Sequence, residues 1–218
     1  MRNKTISADE AAAFVKDGMT LMVGGFMAVG TPEPLIDALL RSGVSGLTII
    51  ANDTGIPGEG IGKLISAKRI KKLMVSHIGL NPETGTQMNN KEIEVDLIPQ
   101  GTLAERIRCG GAGLGGVLTA TGIGTEVEEG KQKLVANGEE YLLELPLRAD
   151  IAIIHGSIVD KSGNVFYEGT TRNFNPLMAM AADLVIVAAE KLVEAGEIDP
   201  SCVMSPAILV DYIVGGVA

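Results

Sequence analysis

Apolar residues in this chain fall into short compact runs, and between them lie stretches with helical spacing. Met19 to Val23 is an apolar run closed by Gly18 and Gly24, the pattern of a strand buried on both faces. Leu35, Ile36, Leu39 and Leu40 then recur along one helical face. Thr31 is the expected N-cap of that helix, Pro32 its first residue and Gly43 its stop. Ser7 with Glu10 makes a capping box that opens an earlier helix over Ala8 to Lys16. Leu47 to Ala51 reads as a strand ending in the turn Asn52-Asp53-Thr54-Gly55, and Lys72 to Ser76 and Val95 to Ile98 read as two more. Thr102 with Glu105 predicts a further capped helix over Leu103 to Arg108. Strands alternating with helices imply βαβ units. The expected fold is therefore α/β, an open, mostly parallel sheet with helices on both faces.

The pattern changes after Gly110. A glycine-rich stretch leads to Lys133–Leu145, where Asn137-Gly138 between apolar segments predicts a hairpin. A second hairpin is expected around Asp160-Lys161-Ser162-Gly163. These signals predict a small β-hairpin subdomain, a β-rich insertion near residues 110–170 of a single domain spanning 1–218. Asn173-Phe174-Asn175-Pro176 reads as a cap and helix start, with Met178 and Met180 on the helix. Asp183 to Ala188 returns to the buried-strand pattern.

Composition narrows the chemistry. There are 28 glycines in 218 residues, well above the usual share of about 7%, which suits many tight strand-to-helix turns. Aromatics are 3% with no Trp, and the net charge is -9, so neither stacking platforms nor a cationic surface for nucleic acid is present. A polyanion such as coenzyme A remains compatible, because backbone N–H groups and a few local cations suffice to hold it. Cys109 and Cys202 are isolated, and His77 and His155 lie far apart. No metal site is expected from that spacing. No apolar run is long enough for a bilayer, and MRNKTISADE lacks a signal-peptide core, so a cytoplasmic location without membrane contact is expected.

Candidate chemistry sits at the predicted strand ends. The loop Gly24-Gly25-Phe26-Met27-Ala28-Val29-Gly30 precedes a helix, where open parallel sheets bind ligands, but its GGxxxxG spacing is not a dinucleotide fingerprint. By itself it is equally a tight βα turn. Asn52-Asp53-Thr54-Gly55 makes a turn without any ligand. Gln100 offers an amide donor where a helix begins, able to polarise a carbonyl or carboxylate. Arg106 and Arg108 suit a phosphate or a partner's carboxylate, or simply a solvated helix end. Cys109 has no neighbouring His to activate it as a nucleophile.

Taken together, ordered blocks covering nearly the whole chain resemble the first subunit of family I CoA-transferases. They are Asp17 to Phe26 with Gly30 and Pro32, Ile49 to Thr54, Ser76 to Gly79, Asn81 to Gly85, Pro99 to Leu103 and Arg172 to Pro176. That group comprises the acetate, butyrate–acetoacetate and 3-oxoacid CoA-transferases. The resemblance implies the CoA-transferase and sugar-phosphate isomerase type of α/β fold. It also implies a ping-pong exchange of CoA between a short-chain acyl-CoA and a carboxylate, through a Glu nucleophile in a Glu-Asn-Gly context on a second, β subunit. This chain has no Glu-Asn-Gly; its nearest relative is Ala136-Asn137-Gly138. The implied role is the non-nucleophilic subunit, active only with its partner in an α2β2 heterotetramer. Coenzyme A is a substrate, with no tightly bound cofactor. By the same resemblance Gly24, Gly25, Phe26, Met27, Ala28, Val29 and Gly30 form the CoA-binding segment. Gln100, and less directly Asn52, hold the reacting carbonyl or carboxylate. Two rival readings are a sugar-phosphate isomerase-like enzyme using Asp53 and Lys63, and a non-catalytic acyl-CoA-binding protein that needs no partner.

Overall fold

A computed structural model describes residues 3–215 of the chain. Its first half runs α1 (Ala8–Ala12), β1 (Thr20–Val23), α2 (Glu33–Ser42), β2 (Leu47–Ala51), α3 (Gly62–Ser66), β3 (Ile70–Val75), α4 (Pro82–Asn89), β4 (Glu94–Leu97) and α5 (Gln100–Ala112). Then come β5 (Val117–Thr119), β6 (Lys133–Ala136), β7 (Glu139–Glu144), β8 (Ala149–Asp160), β9 (Val165–Phe166), α6 (Asn175–Met180), β10 (Ala182–Val193) and β11 (Tyr212–Gly215). The main sheet has the order β11-β10-β8-β1-β2-β3-β4, with every neighbouring pair parallel and β9 antiparallel against the end of β8. A separate antiparallel sheet, β5-β7-β6, holds the first expected hairpin. Asn137 and Gly138 both take positive φ at its two-residue turn, as an Asn-Gly hairpin requires. Among the described residues no helix is long and apolar enough to cross a membrane.

Helices cover both faces of the main sheet because its strands are apolar on both. On one face Leu21, Val23, Ile49 and Leu73 pack against Leu35, Ile36 and Leu39 of α2 and Leu64 and Ile65 of α3. On the other, Met22, Ile50, Ala152 and Ile154 meet Leu103 and Ile107 of α5 and Met178 of α6. Each fully buried Leu or Ile contributes about 1.5–3 kcal/mol of transfer free energy, so a polar residue at Leu39 or Leu103 would strip a helix from the sheet.

Several boundaries differ from the sequence pattern. The Ser7–Glu10 capping box forms, but the helix stops at Ala12 and the chain turns through 13–18 to a left-handed Gly18. Pro32, not Thr31, occupies the cap of α2, and Gly43 closes that helix with φ 79°. The fifth helix begins at Gln100 and not at Leu103. Pro99 sets the chain direction there, Thr102 lies inside the first turn, and Glu105 pairs with Arg108 at 2.7 Å and not with a cap. It also runs through Gly110 and Gly111 to Ala112. Both glycines are tolerated in the helix because the neighbouring chain comes so near. An ideal Cβ on Gly110 would lie 1.9 Å from the Leu147 carbonyl oxygen, and one on Gly111 2.6 Å from Met180 Cβ. The second expected hairpin forms between β8 and β9. Asp160 accepts from the N–H groups of Ser162, Gly163 and Asn164 and holds the turn.

Candidate active site

From β1 the chain steps outward through β2, β3 and β4 on one side of the main sheet, while β8, β10 and β11 extend the other. At such a reversal the connections leave the carboxyl ends of neighbouring strands in opposite directions and open a crevice. Four segments meet there: the 24–30 loop after β1, Asn52 after β2, Gln100 at the start of α5, and the turn before α6. They enclose a cavity of about 620 Å³ lined by Phe26, Met27, Val29, Asn52, Gln100, Thr170, Asn173 and Phe174. The expected loop, Asn52 and Gln100 are thus brought to one place.

The loop is shaped by its own hydrogen bonds. Phe26 N–H donates to Val29 O at 3.0 Å and Val29 N–H to Phe26 O at 2.9 Å. The two residues between them, Met27 (φ 50°) and Ala28 (φ 67°), are both left-handed. For residues with a Cβ that conformation costs about 1–2 kcal/mol each. Asp53, buried, accepts Met27 N–H at 2.8 Å and Gly55 N–H at 3.2 Å, so its carboxylate is committed to the backbone. Within the loop only Ala28 and Gly30 N–H make no hydrogen bond with the described residues. The loop is therefore a poor phosphate cradle. Its outward side is apolar, with Phe26, Met27 and Val29 each 39–46% exposed.

The glycines face inward. An ideal Cβ on Gly24 would fall 1.8 Å from Asn175 Oδ1, one on Gly25 2.1 Å from Thr31 Oγ1, and one on Gly30 2.6 Å from Thr171 O. Close approach is the reason for these glycines, and the approaching groups belong to this chain. Phe26, Met27 and Val29 carry the cavity wall.

Amide donors make up another part of the lining. Gln100 Nε2 donates to Asn52 Oδ1 at 2.8 Å, and the one Ser76 hydroxyl proton is shared between Asn52 O at 2.7 Å and the same Oδ1 at 3.0 Å. With its oxygen doubly engaged, Asn52 has no acceptor for Nδ2 among the described residues, and Gln100 keeps a second N–H. Helix α5 adds the N–H groups of its first turn, which have no intrahelical acceptor. No side chain caps that end and no acidic residue lies in its first turn. An oxyanion or carboxylate entering the cavity would meet N–H donors, and no acidic residue is among those lining it.

The other candidate residues lie outside this arrangement. Arg106 donates to Leu145 O at 2.8 Å and approaches the buried Glu144 at 3.6 Å, tying α5 to the small sheet. Lys63 is held at 2.7 Å by Glu33 and at 2.7 Å by Asp37, so its charge is already paired within the fold. Cys109 is buried in α5. His77 is exposed beyond β3, where its backbone pairs with that of Asp53 in an isolated parallel β-bridge. His155, on β8, has Nε2 3.7 Å from Glu190 Oε2. Burial pushes this imidazole below its usual pKa, and the Glu190 carboxylate works against that shift. Thr170 and Phe174 were not among the sequence candidates. The Asn-Phe-Asn-Pro signal does mark this turn, but the structure gives α6 no side-chain cap.

An open parallel sheet with a donor-lined cavity at its strand reversal defines an α/β fold of the ligand-binding, enzyme-bearing type. Residues 5–216 match the family model described as Coenzyme A transferase, and the chain belongs to that family, in its alpha-subunit group. It is 58% identical over 214 residues to the acetoacetyl-CoA:acetate/butyrate CoA transferase alpha subunit of Clostridium acetobutylicum, covering 98% of each chain. It is 54% identical to the acetate CoA-transferase subunit alpha of Escherichia coli K12, covering 98% of this chain and 97% of that one. Its fold matches the acyl-CoA transferase of E. coli O157:H7, solved as a thioester complex with CoA, with a TM-score of 0.86 at 24% identity. That alignment covers 98% of this chain but 47% of the solved one, so this chain spans about half of that protein's length.

Proposed function

We propose that this chain forms one wall of the active site of a short-chain acyl-CoA:carboxylate CoA-transferase of the acetate, butyrate or acetoacetate class, and that a β subunit supplies the nucleophile. The observation that carries this reading is the make-up of the cavity: apolar side chains on one wall and amide donors on the other, with no ionisable residue among those lining it. Such a site can bind and polarise an acyl group but cannot attack it. The names of the Clostridium acetobutylicum and E. coli relatives, both alpha subunits, support the shared site and the substrate class.

In this reading the partner's Glu carboxylate adds to the thioester carbonyl of the acyl-CoA. The C–S bond breaks, leaving an acyl-glutamyl anhydride and CoA thiolate. The thiolate then attacks the glutamyl carbonyl and displaces the acyl carboxylate, which leaves an enzyme–CoA thioester that the second acid opens by the reverse steps. Asn52 Nδ2 and Gln100 Nε2 hold the carboxylate oxygens that gain charge as each acid departs or returns. Phe26, Met27 and Val29 cover the acyl and thioester region and exclude water, while the CoA phosphates lie outside the loop's engaged backbone. One carboxylate on each β subunit implies two sites in an α2β2 assembly, with CoA as a substrate and not a resident cofactor.

The test follows acetoacetyl-CoA consumption with acetate as acceptor, using the chain alone, its β-type counterpart alone, and the two mixed. Transfer only in the mixture supports the shared site. Equal transfer by this chain alone would refute the missing nucleophile. Tight binding of acetoacetyl-CoA by the chain alone, with no transfer in the mixture, would favour a non-catalytic binding protein.

A further inference from the structure

We infer that Asn173 and Asn175 are positioning residues that hold the 24–30 loop in the one conformation that presents Phe26, Met27 and Val29 to the cavity. The inference rests on the proposed acyl-CoA site and adds to it the groups that keep its apolar wall in place.

Asn175 is fully buried, yet it caps nothing. Its Nδ2 donates to Gly30 O at 3.0 Å and to Thr171 O at 2.8 Å, and its Oδ1 accepts His155 N–H from β8 at 3.0 Å. One carboxamide therefore links the end of the loop, the turn before α6 and the central sheet. Asn173 grips the other side of the loop. Its Oδ1 accepts Gly25 N–H at 3.2 Å and its Nδ2 donates to Val29 O at 3.0 Å. The same side chain bonds its own turn through Phe174 N–H at 2.7 Å and Thr170 O at 3.1 Å. With Asp53 on Met27 N–H, side chains far along the chain tie the loop at four backbone groups.

Steric fit points the same way. The missing side chains of Gly24 and Gly30 are the space that Asn175 Oδ1 and Thr171 O enter. Three residues with a Cβ take positive φ in this small region: Met27, Ala28 and Asn173 itself at φ 21°. Strained backbone of this kind persists only where its surroundings over-determine it. The phenyl, thioether and isopropyl groups that line the cavity stand on the strained turn. Releasing the clamp would let the turn relax and move them.

Two variants test this in the assembled enzyme. Asn173→Asp keeps the acceptor for Gly25 N–H but loses the donor to Val29 O. Asn175→Ser removes the buried amide, and thermal melting checks that it folds. The first readout is amide hydrogen exchange of the 24–31 segment against the 47–51 strand, which does not depend on turnover. The second is the split of KM and kcat for acetoacetyl-CoA. Loss of one such hydrogen bond predicts exchange in 24–31 faster by about five- to tenfold, with 47–51 unchanged and KM raised by a similar factor. Unchanged exchange in 24–31 with a folded variant would overturn the clamp. Faster exchange with unaltered KM and kcat would overturn its role in the reaction. Absence of transfer by the unsubstituted assembly would count against the proposed function alone, since the exchange measurement still decides whether the clamp exists.

Discussion

Replacing Gln100 with alanine separates the chemistry of the donor wall from its contribution to the fold. The side chain is exposed, and its one hydrogen bond among the described residues is that from Nε2 to Asn52 Oδ1 at 2.8 Å. Losing it leaves the buried Asn52 with its bond from Ser76 Oγ at 3.0 Å. The cost to stability should not exceed about 1 kcal/mol. For a domain of this size that is a fall in Tm of about 2–4 °C. Catalysis should respond far more strongly. If Gln100 holds an oxygen that gains charge as the acyl carboxylate leaves, removing that donor lowers kcat by about 10²–10³. Gln100→Glu sharpens the contrast. A carboxylate in the first turn of α5 favours the helix by about 0.3–1 kcal/mol, yet it repels the departing acid. The substitution also forfeits the donor to Asn52 Oδ1, so stability should stay within about 1 kcal/mol of the unsubstituted chain while activity falls below that of the alanine variant. Acetoacetyl-CoA consumption by the α/β mixture, beside a thermal melt of each variant, gives both quantities. Turnover of Gln100→Ala within about threefold of the unsubstituted enzyme would refute the donor role, since that ratio is well under one oxyanion contact.

Gly24→Ala would place a methyl group against Asn175 Oδ1 in a buried site, and denaturant melting should show a loss of about 1–3 kcal/mol; an unchanged midpoint would mean the loop and Asn175 are not in contact. His155 titrates below its usual value of 6.5 when folded, because burial disfavours its charge. The unfolded chain therefore takes up the proton first, so stability is full above about pH 6.5 and is lost as pH falls toward the folded pKa. His155→Gln should flatten that part of the Tm-versus-pH curve, and a curve of unchanged slope would count against it. Burial alone would raise the Asp160 carboxyl, but the Asn164 side chain and the N–H groups of Asn164, Ser162 and Gly163 hold it below 3.8. Its contribution is present above about pH 3.8 and lost as pH falls through the folded pKa. Asp160→Ala should cost about 2–4 kcal/mol at neutral pH, read by denaturant melting, with less difference from the unsubstituted chain in strong acid.

Much of the fold was legible where its signals are local. The strand at Leu47–Ala51, the stop at Gly43, the Ser7–Glu10 capping box and the Asn137-Gly138 turn each depend on residues within a few positions of one another. The long strand Ala149–Asp160 was visible only at its hairpin end, and the short Tyr212–Gly215 edge strand carried no pattern of its own. Helix α5 ran on through Gly110 and Gly111 because of Leu147 and Met180, contacts no periodicity reveals. The site divides in the same way. Asn52 and Gln100 could be named from their place after predicted strands and from the family blocks, but their shared hydrogen bond joins positions 48 residues apart. The glycines of the 24–30 loop were conspicuous, and their reason was not. Gly24 answers to Asn175 and Gly30 to Thr171, both far along the chain from the loop.

That long separation bears on how the site is built. Asn52, Gln100, Asp53 and the loop itself all come from the β1–β4 side of the main sheet, whereas Asn173, Asn175 and His155 come from the β8–β11 side. Neither side alone fixes the cavity. Asp53 can hold Met27, but the loop's entry at Gly25 and exit at Gly30 are held from across the reversal. The parallel pairing of β1 with β8 in turn sets how closely Asn175 can approach Gly24. Interior packing tolerates little displacement before contacts are lost. A small shift between the two sides would thus reach Phe26, Met27 and Val29 first, through the strained turn, while the donor wall of Asn52 and Gln100 stayed where it is. The apolar wall and the donor wall can therefore fail separately: damage to the clamp should appear as weakened acyl-CoA binding, and damage to the amides as slowed transfer.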